Sequence, residues 1–428
     1  MTFKILHTSD WHLGQNFYGK NRIKEHTEFL DWLVEQVEVN QVNAIIIAGD
    51  VFDTGTPPSY AREMYYNFIV RIHQLACQLI VLAGNHDSVS MLAESKGMAS
   101  HLSCHIIAQP QENIHDQIVR ITDEDEQLLG VVCAVPFLRP KDIQQSRFGQ
   151  SATEKQQDLR QQIAAHYLDI YNAATEIVGE HAAPIIATGH LTAVGAKTSE
   201  SVRDIYIGTL DAVPASDFPP ADYIALGHIH RPQKVAKSDH IRYCGSPIPL
   251  SFDEAATQKQ VNLVCFEDGQ LSEVKLLKIP LFQPLATLKT TMSSLVSDAE
   301  SAIDAYGDDF TEHSRLWLDI EVTTADYLSD LGAKIEELTE SLPVEVLRIR
   351  RSKSTSEQSS IYEEKLTLDE LSVAEVFDAK LATIDVSDES QAERLKTLYM
   401  QTVEQVKTAP EDELVSTQLS VELAEEAQ

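Results

Sequence analysis

The segment AIIIAGDVFD (Ala44–Asp53) joins an apolar run to two carboxylates. An apolar run of this length is typical of a strand that is covered on both faces. The glycine after the run permits a sharp turn, and Asp50 and Asp53 follow that turn directly. Polar side chains placed after a strand lie at the carboxyl edge of a parallel sheet, where α/β proteins bind their ligands. The segment therefore predicts an α/β fold with a functional site at this edge.

Four other segments repeat this arrangement of an apolar strand followed by polar side chains. The predicted strands are Phe3–Thr8, Leu79–Ala83, Pro184–Thr188 and Tyr223–Leu226. The polar clusters after them are Asp10-Trp-His12, Gly84-Asn-His-Asp87, Gly189-His190 and Gly227-His-Ile-His230. Amphipathic patterns over residues 22–39, 59–75 and 158–178 predict helices between the strands. Strands that alternate with helices predict an α/β sandwich whose polar clusters meet at one edge.

Seven side chains from these clusters are candidate metal ligands. They are Asp10, His12, Asp50, Asn85, His190, His228 and His230. One such cluster alone is more often a capped turn, but five clusters at five strand ends indicate a metal site. Imidazole, carboxylate and amide ligands without a thiolate suit Mn²⁺, Fe²⁺ or Zn²⁺. Seven ligands are too many for one tetrahedral ion and suit two ions that share a carboxylate, an arrangement that activates phosphate esters.

Three further polar residues of the same loops are candidates for roles beside the metal ligands. His86 follows Asn85, so its side chain points elsewhere and can face a phosphate as an acid or as an electrostatic stabiliser. Asp87 or Asp53 can orient a histidine from behind. We predict His86 and Asp87 as catalytic candidates and Asp53 as an orienting residue.

Composition limits the classes of protein to which the chain can belong. The 34 basic and 66 acidic residues give a net charge of −32, which argues against coating nucleic acid or membrane by bulk charge. The five cysteines are widely spaced without a CxxC pair, which indicates reduced thiols. The N-terminal residues become polar too early for a signal peptide, and no apolar run approaches the ~20 residues of a membrane span. We expect a soluble, cytoplasmic protein without membrane contact.

Three regions follow one another along the chain. Residues 1–277 contain the polar clusters, and residues 278–351 alternate strand and helix patterns, which predicts a small α+β domain. Residues 352–428 begin with a Ser-rich linker, continue with helical patterns over residues 373–382 and 391–406, and end in an acidic tail. From Ser354 onward there are 18 acidic and 5 basic residues. The apolar stripes of these helices have no domain of their own to cover them, so docking on a partner and a solvated surface are both open explanations.

The polar clusters, in their order along the chain, resemble the calcineurin-like metallophosphoesterase superfamily. Longer runs resemble one branch of it, the nuclease subunits of bacterial complexes that contain a coiled-coil ATPase. These runs are DWHLGQ (10–15), AGDVFDTGTPPSYARE (48–63), LAGNHDS (82–88), ALGHIHRPQ (225–233) and RYCGSPIPLSFDEA (242–255). The resemblance covers residues 1–255 and, more loosely, LSVAEVFDAKL (371–381).

The resemblance implies a fold and an activity. The fold is a β-sandwich flanked by helices, with residues 278–351 as a capping domain and a C-terminal helical segment that docks on the ATPase. The activity is that of an ATP-dependent exonuclease on double-stranded DNA and an endonuclease on hairpins and single strands, in DNA repair and recombination. A homodimer of nuclease domains and a nucleoid-associated location in the cytoplasm are implied as well. The run GHLTAVGAKT (189–198) lacks the spacing of a P-loop, so any ATP dependence comes from the partner.

The resemblance also implies a role for each ligand position. One manganese ion takes Asp10, His12, Asp50 and His230, and the other takes Asp50, Asn85, His190 and His228, so that Asp50 bridges the two. His86 is then the catalytic histidine near the scissile phosphate. Some archaeal relatives have a histidine where Asp53 stands here, so the role of that histidine in selecting the mode of cleavage does not transfer.

Basic residues near the motifs are candidate DNA contacts, although each is also explained as a solvated surface charge. They are Arg22, Arg139, Lys141, Lys197, Arg203 and Arg231. With so acidic a chain we expect weak, salt-sensitive DNA binding by the isolated subunit. Two other functions stay open. A similar site serves small-molecule phosphodiesterases and phosphatases, and a scaffold protein can hold DNA ends for its ATPase without needing the full ligand set.

Overall fold

The computed structural model describes residues 2–123, 125–143, 152–202, 212–307, 315–323 and 331–352. The described residues belong to one compact unit. The linker, the two helices and the acidic tail predicted beyond residue 352 lie outside the described residues, as does Arg203.

The strands and helices follow in chain order. The strands are β1 (Thr2–Thr8), β2 (Asn16–Phe17), β3 (Lys20–Asn21), β4 (Ala44–Ala48), β5 (Gln78–Leu82), β6 (Cys104–Ile107), β7 (Ile118–Thr122), β8 (Leu128–Cys133), β9 (Ile185–His190), β10 (Tyr223–Gly227), β11 (Gln233–Lys234), β12 (Ile241–Tyr243), β13 (Gln260–Glu267), β14 (Gln270–Lys278), β15 (Leu285–Thr290), β16 (Leu316–Thr323) and β17 (Val344–Ser352). The α-helices are α1 (Ile23–Asn40), α2 (Ser59–Gln74), α3 (Val89–Glu94), α4 (Lys96–Ser100), α5 (Pro140–Ile143), α6 (Ala152–Val178), α7 (Leu295–Asp304) and α8 (Leu331–Thr339). The five predicted ligand-bearing strands are present, with ends within two residues of the prediction.

Two six-stranded sheets form the body of the protein. Their strand orders are β14-β13-β1-β4-β5-β6 and β11-β12-β10-β9-β8-β7. A buried apolar layer that includes Ile46 and Ile186 lies between the sheets. The outer face of the first sheet is covered by α1 and α2, and that of the second by α6. The predicted β-sandwich flanked by helices is confirmed.

The parallel pairing of strands brings the predicted clusters to one edge. β1, β4 and β5 run parallel in the first sheet, and β9 and β10 run parallel in the second. The two sheets approach closely where β4 and β10 end, because a Cβ on Gly227 would lie 2.0 Å from the carbonyl oxygen of Ala48. Only a glycine permits this approach. The carboxyl ends of all five strands therefore face a common space.

A second, smaller sheet follows the sandwich. β15, β16 and β17 are parallel, and α7 and α8 lie between them in sequence, so this region is a small α/β unit instead of the predicted α+β domain. Its core includes Leu288, Ile320 and Ile335. The predicted boundary after residue 277 falls inside β14, and Ile279 packs in the core of the sandwich. This smaller sheet of β15, β16 and β17, here called the capping sheet, therefore begins at Leu285.

The capping sheet rests on a hairpin that continues the first ligand loop. Phe17, in the hairpin of β2 and β3, stacks on Trp317 with ring centroids 5.8 Å apart, and both pack with Phe252. Arg348 of β17 binds Asp319 through two hydrogen bonds of 2.9 and 2.7 Å, and its Nη1 donates to the Tyr18 hydroxyl at 3.0 Å. The sandwich and the capping sheet thus share an aromatic interface beside the first ligand loop.

Candidate metal centre

Four residues of the ligand loops have positive φ angles, a backbone conformation that residues other than glycine rarely adopt. Asp10, His12, Asp50 and His228 have φ angles of 55°, 47°, 50° and 93°. Each such residue costs about 1–3 kcal/mol unless its surroundings hold it, and such strain is concentrated at functional sites. The amide of Asp10 donates to the Gly49 carbonyl at 3.0 Å and that of His12 donates to the Asp50 carbonyl at 3.1 Å. The first two loops therefore hold each other in shape.

Asp50 lies at the centre of the cluster. Its Oδ2 is 3.2 Å from His190 Nε2 and 3.6 Å from His12 Nε2, while its Oδ1 accepts the amide of His86 at 2.9 Å. Burial opposes ionisation of Asp50, but His190 and His86 outweigh it and hold the pKa of this carboxyl well below its ordinary value. Asp50 is thus a carboxylate that faces histidines on both sides.

One group of ligands gathers on the His12 side of Asp50. Asp10, His12 and His230 place one ligand atom each within 4.8 Å of one another, and all three residues are buried. Asp10 Oδ1 also accepts the backbone amide of His228 at 2.9 Å. This hydrogen bond ties the first ligand loop to the fifth, so the two sheets present one continuous site.

A second group gathers on the His190 side. Asp50, His190 and His228 again have ligand atoms within 4.8 Å of one another. Asn85 Oδ1 lies 3.0 Å from His190 Nε2 and 3.1 Å from His228 Nδ1, which adds the predicted amide to this group. His190 Nδ1 donates to the Ala48 carbonyl at 2.8 Å, so Nε2 is the nitrogen that faces Asp50 and Asn85.

Two buried nitrogen atoms show that these residues suit a cation. Among the described residues, His12 Nε2 and His228 Nε2 are buried without a hydrogen-bond partner. A buried nitrogen without a partner costs about 1–3 kcal/mol, and a bound metal ion would satisfy it. His12 Nδ1 is held by Asp53 Oδ1 at 3.1 Å, so Nε2 is turned toward Asp50. The donor set of carboxylate, imidazole and amide suits a divalent cation.

Acidic neighbours also favour positive charge at the site. Burial lowers the pKa of His12, but Asp53 and Asp50 outweigh it and raise that pKa to about 8. Burial acts in the same way on His190, and Asp50 raises its pKa to about 9. The carboxylates that raise these pKa values also attract a metal cation, which would displace the protons.

Glycines make room for the ligands. A Cβ on Gly84 would lie 2.1 Å from Asp50 Oδ1, and one on Gly49 would lie 2.2 Å from His190 Nδ1. Both distances are far below any contact between such atoms, so a larger residue would displace Asp50 or His190. These two glycines therefore set how closely the loops approach.

His86, Asp53 and Asp87 differ in how they meet the cluster. His86 places a ring nitrogen within 4.8 Å of ligand atoms of His12 and Asp50, and its Nδ1 hydrogen-bonds to the Asp53 carbonyl at 2.7 Å. Asp53 therefore contacts two of the site's histidines. Asp87 instead accepts three backbone amides, from Gly84, Phe52 and Val51, at 2.8 to 3.1 Å. Its carboxylate thus fastens two ligand loops together, and the catalytic role of Asp87 stays a prediction.

The sequence analysis missed a buried polar group behind His230. Glu254 and Lys259 are 0% and 5% exposed, and Lys259 Nζ lies 2.6 Å from Glu254 Oε2. Ser201 Oγ donates to Glu254 Oε1 at 2.5 Å and lies 2.6 Å from His230 Nδ1. The sequence feature that could have pointed to Glu254 is the run GSPIPLSFDEA (245–255), because this run is part of the family resemblance and contains no metal ligand.

The candidate DNA contacts fall into different environments. Arg22 is 1% exposed, is paired with Glu25 and stacks on Phe17, so the prediction that it binds DNA is wrong. Arg231 pairs with Asp253 at 2.7 Å. The side chain of Arg139 lies beside the Asn85 loop, 3.4 Å from the Asp87 carbonyl. Lys141 and Lys197 are exposed. Within the described part of the chain, no helix is long and apolar enough to cross a membrane.

Comparisons with known proteins agree with this architecture. Residues 3–232, more than half of the chain, match the family model described as calcineurin-like phosphoesterase. Residues 281–385 match the model described as type 5 capsule protein repressor C-terminal domain. Among solved structures, a dimetal phosphatase from Danio rerio has a TM-score of 0.34 at 12% identity, covering 65% of this chain and 98% of that one, which is too weak a likeness to bear on function.

Curated relatives extend the similarity over nearly the whole chain. The SbcD subunit of the SbcCD nuclease of Escherichia coli K12 is 51% identical over 400 residues, which is 94% of this chain and 98% of the relative. The protein of the same name from Bacillus subtilis is 30% identical over 76% of this chain and 80% of its own length. The chain therefore belongs to the calcineurin-like phosphoesterase family and, within it, to the family of SbcD nuclease subunits.

Proposed function

We propose that this protein is the nuclease subunit of a DNA-cleaving complex and hydrolyses phosphodiester bonds with two divalent metal ions. The observation that carries the proposal is the pair of ligand groups on either side of Asp50. Asp10, His12 and His230 complete one group, and Asn85, His190 and His228 complete the other. Two groups that share one carboxylate match the needs of in-line displacement at a phosphate.

The residues of the chain divide the chemical work between them. The two ligand groups would hold divalent ions, of which Mn²⁺ fits these ligands, and such ions would supply polarisation of the phosphate and an acidic water molecule. His86 Nδ1 is held by the Asp53 carbonyl, so we assign Nε2 to the substrate, where it stabilises charge or gives a proton to the leaving oxygen. Asp53 contacts both His12 and His86, and Asp87 fastens the loop of Asp53 to the loop of His86.

Further parts of the proposal concern the contacts with DNA and with partner proteins. We assign DNA contacts to Arg139, Lys141, Lys197, Arg203 and Arg231, with Arg139 nearest to the catalytic loop. Residues 285–352 act as a capping domain, and residues 353–428 contain the segment that docks on an SbcC-type coiled-coil ATPase. A homodimer of nuclease domains then forms a heterotetramer with the ATPase, acts on double-stranded and hairpin DNA in repair and recombination, and works in the cytoplasm at the nucleoid.

Substitution of Asp50 by asparagine tests the proposal. Asp50→Asn removes the charge that both ligand groups share, so we expect cleavage of end-labelled duplex and hairpin DNA in Mn²⁺ to fall below detection while the fold is retained. The matched control is Asp239→Asn, since Asp239 is 75% exposed and its ion pairs in the described structure are with Lys234 and Arg242, neither of which is a candidate ligand. Both variants and the wild type are assayed with and without the ATPase partner and ATP.

The outcomes separate the proposal from its rivals. Cleavage by the wild type and by Asp239→Asn, enhanced by the partner and lost in Asp50→Asn, supports the nuclease. Faster turnover of cyclic nucleotides or aryl phosphates than of DNA would instead indicate a small-molecule phosphodiesterase. DNA binding without any cleavage, equal in wild type and Asp50→Asn, would indicate a scaffold.

A further inference from the structure

The run GSPIPLSFDEA (245–255) contains no metal ligand, yet its Glu254 places a buried carboxylate beside the candidate ligand His230. Glu254 is 0% exposed. Its Oε1 accepts the hydroxyls of Ser201 at 2.5 Å and Ser199 at 2.7 Å, and its Oε2 accepts Lys259 Nζ at 2.6 Å and the amide of Leu250 at 3.1 Å. A buried carboxylate with this many donors is fixed in position.

These contacts continue to His230. Ser201 Oγ lies 2.6 Å from His230 Nδ1, and Glu254 Oε1 lies 3.4 Å from the same nitrogen. Lys259 Nζ donates to the His230 carbonyl at 3.1 Å. The buried group therefore contacts both the ring and the backbone of one candidate ligand.

The direction of the protons decides which nitrogen of His230 can bind a cation. A serine hydroxyl has one proton, and an ionised carboxylate only accepts, so Ser201 donates to Glu254. The oxygen of Ser201 is then left to accept a hydrogen bond from His230 Nδ1–H. Because a neutral imidazole has one N–H, Nε2 keeps its lone pair and is the nitrogen left to bind a cation together with Asp10 and His12, whose ligand atoms lie within 4.8 Å of one in His230.

Two of the other ligand histidines have simpler supports. His190 Nδ1 donates directly to the Ala48 carbonyl, and His12 Nδ1 meets the Asp53 carboxylate. At His230 the carboxylate acts through a serine from the segment that follows β9, 29 residues earlier in the chain. Lys259 Nζ donates to Glu254 Oε2 at 2.6 Å, and this buried counter-charge keeps the carboxylate an acceptor.

We propose that Glu254 and Ser201 are positioning residues that fix His230 as an Nε2 donor and thereby set the affinity of one of the two metal sites. The inference rests on the proposed function, since it assumes two ions. It assigns a role to the GSPIPLSFDEA run and to Ser201. Loss of either should weaken binding of the ion held by Asp10, His12 and His230. Binding of the ion held by His190 and His228 should not change.

The test measures Mn²⁺ binding to the full chain by calorimetry and by the electron paramagnetic resonance signal of coupled manganese pairs, without DNA. Ser201→Ala leaves the Glu254–Lys259 pair intact, so it retains the fold. We expect affinity for one ion to fall at least ~10-fold while affinity for the other changes less than ~2-fold, with loss of the coupled signal at limiting metal. Ser201→Thr keeps the hydroxyl and is the matched control, with both affinities near wild type.

A second pair of variants tests Glu254 itself. Glu254→Gln alone leaves Lys259 buried without its counter-charge, so it is combined with Lys259→Met, which removes both charges together. The double variant should show the same selective loss as Ser201→Ala. Wild-type affinity for both ions in Ser201→Ala would overturn the positioning role, as would an equal loss at both sites. Wild-type protein that binds fewer than two ions would overturn the two-ion site, and this inference with it.

Discussion

Substitution of Gly227 by alanine should damage the metal centre without replacing any ligand. The Cβ of the new residue would lie 2.0 Å from the Ala48 carbonyl oxygen and 2.9 Å from His190 Nδ1. A carbon and a carbonyl oxygen rarely approach closer than about 3.3 Å. The ends of β4 and β10 must therefore separate by about 1.3 Å. The obstacle is a backbone atom of a buried strand, so no side-chain rotation can relieve it.

The expected magnitudes follow from this displacement. Gly227 precedes His228, and Ala48 holds the ring of His190, so both histidines of one ligand group move. A misplacement of about 1 Å costs about 10²-fold in rate, so we expect at least that loss in DNA cleavage. Overpacking should also lower the free energy of unfolding by about 1–3 kcal/mol.

Initial rates on end-labelled duplex DNA in Mn²⁺ and urea unfolding curves measure the two effects. Gly332→Ala is the matched control, because a Cβ there has nothing within 4 Å and lies on helix α8. It should cleave DNA like the wild type and be no less stable, since alanine favours helix over glycine by up to about 1 kcal/mol. A Gly227→Ala protein with the wild-type rate and unchanged Mn²⁺ affinity would refute the reasoning.

Three further predictions concern the catalytic loop, a buried histidine and the capping interface. His86→Ala should lower the cleavage rate about 10²–10⁴-fold while Mn²⁺ affinity, measured by calorimetry, stays near wild type; equal losses of both would place His86 among the ligands. Burial and Arg22 lower the pKa of His26 to about 3, so the unfolded chain binds more protons below its ordinary pKa of 6.5 and stability falls as the pH drops. At pH 5 the lowered pKa of His26 costs the folded wild type about 2 kcal/mol. Between pH 7.5 and pH 5, the free energy of unfolding from urea curves should therefore fall about 2 kcal/mol less in His26→Gln than in the wild type. An equal fall in both proteins would contradict the assignment. Trp317→Ala should lower the unfolding free energy by about 3–5 kcal/mol, and a change within 1 kcal/mol would show that the aromatic interface does not hold the capping sheet.

The ligand set could be predicted from sequence because each member has a local signal. An apolar run marks the strand, a glycine marks its end, and the ligand follows within a few residues, as at Asp50 and His190. Parallel strands then bring those ends together without further information. The same reasoning predicted β10 and the cluster after it, in which His228 and His230 are separated by one residue.

Side chains whose partners are far away in sequence could not be assigned in this way. Glu254 meets Ser201 across 53 residues, and nothing near either residue announces the contact. Arg22 looks like a surface cation beside a helix, but Glu25, three residues later, neutralises it, and Phe17 covers it. Asp87 stands in a catalytic motif, and only the folded chain shows that its oxygens accept three backbone amides.

The hairpin of β2 and β3 has a consequence for any attempt to isolate the nuclease domain. It follows the first ligand loop by a few residues. Its Phe17 is buried against Trp317 of the capping sheet, and Arg348 of that sheet lies over the ring of Tyr18. A chain shortened to end before Leu285 would present those aromatic rings to water next to His12. Such a fragment should self-associate and hold its first ligand loop loosely. The smallest working enzyme therefore includes the capping sheet.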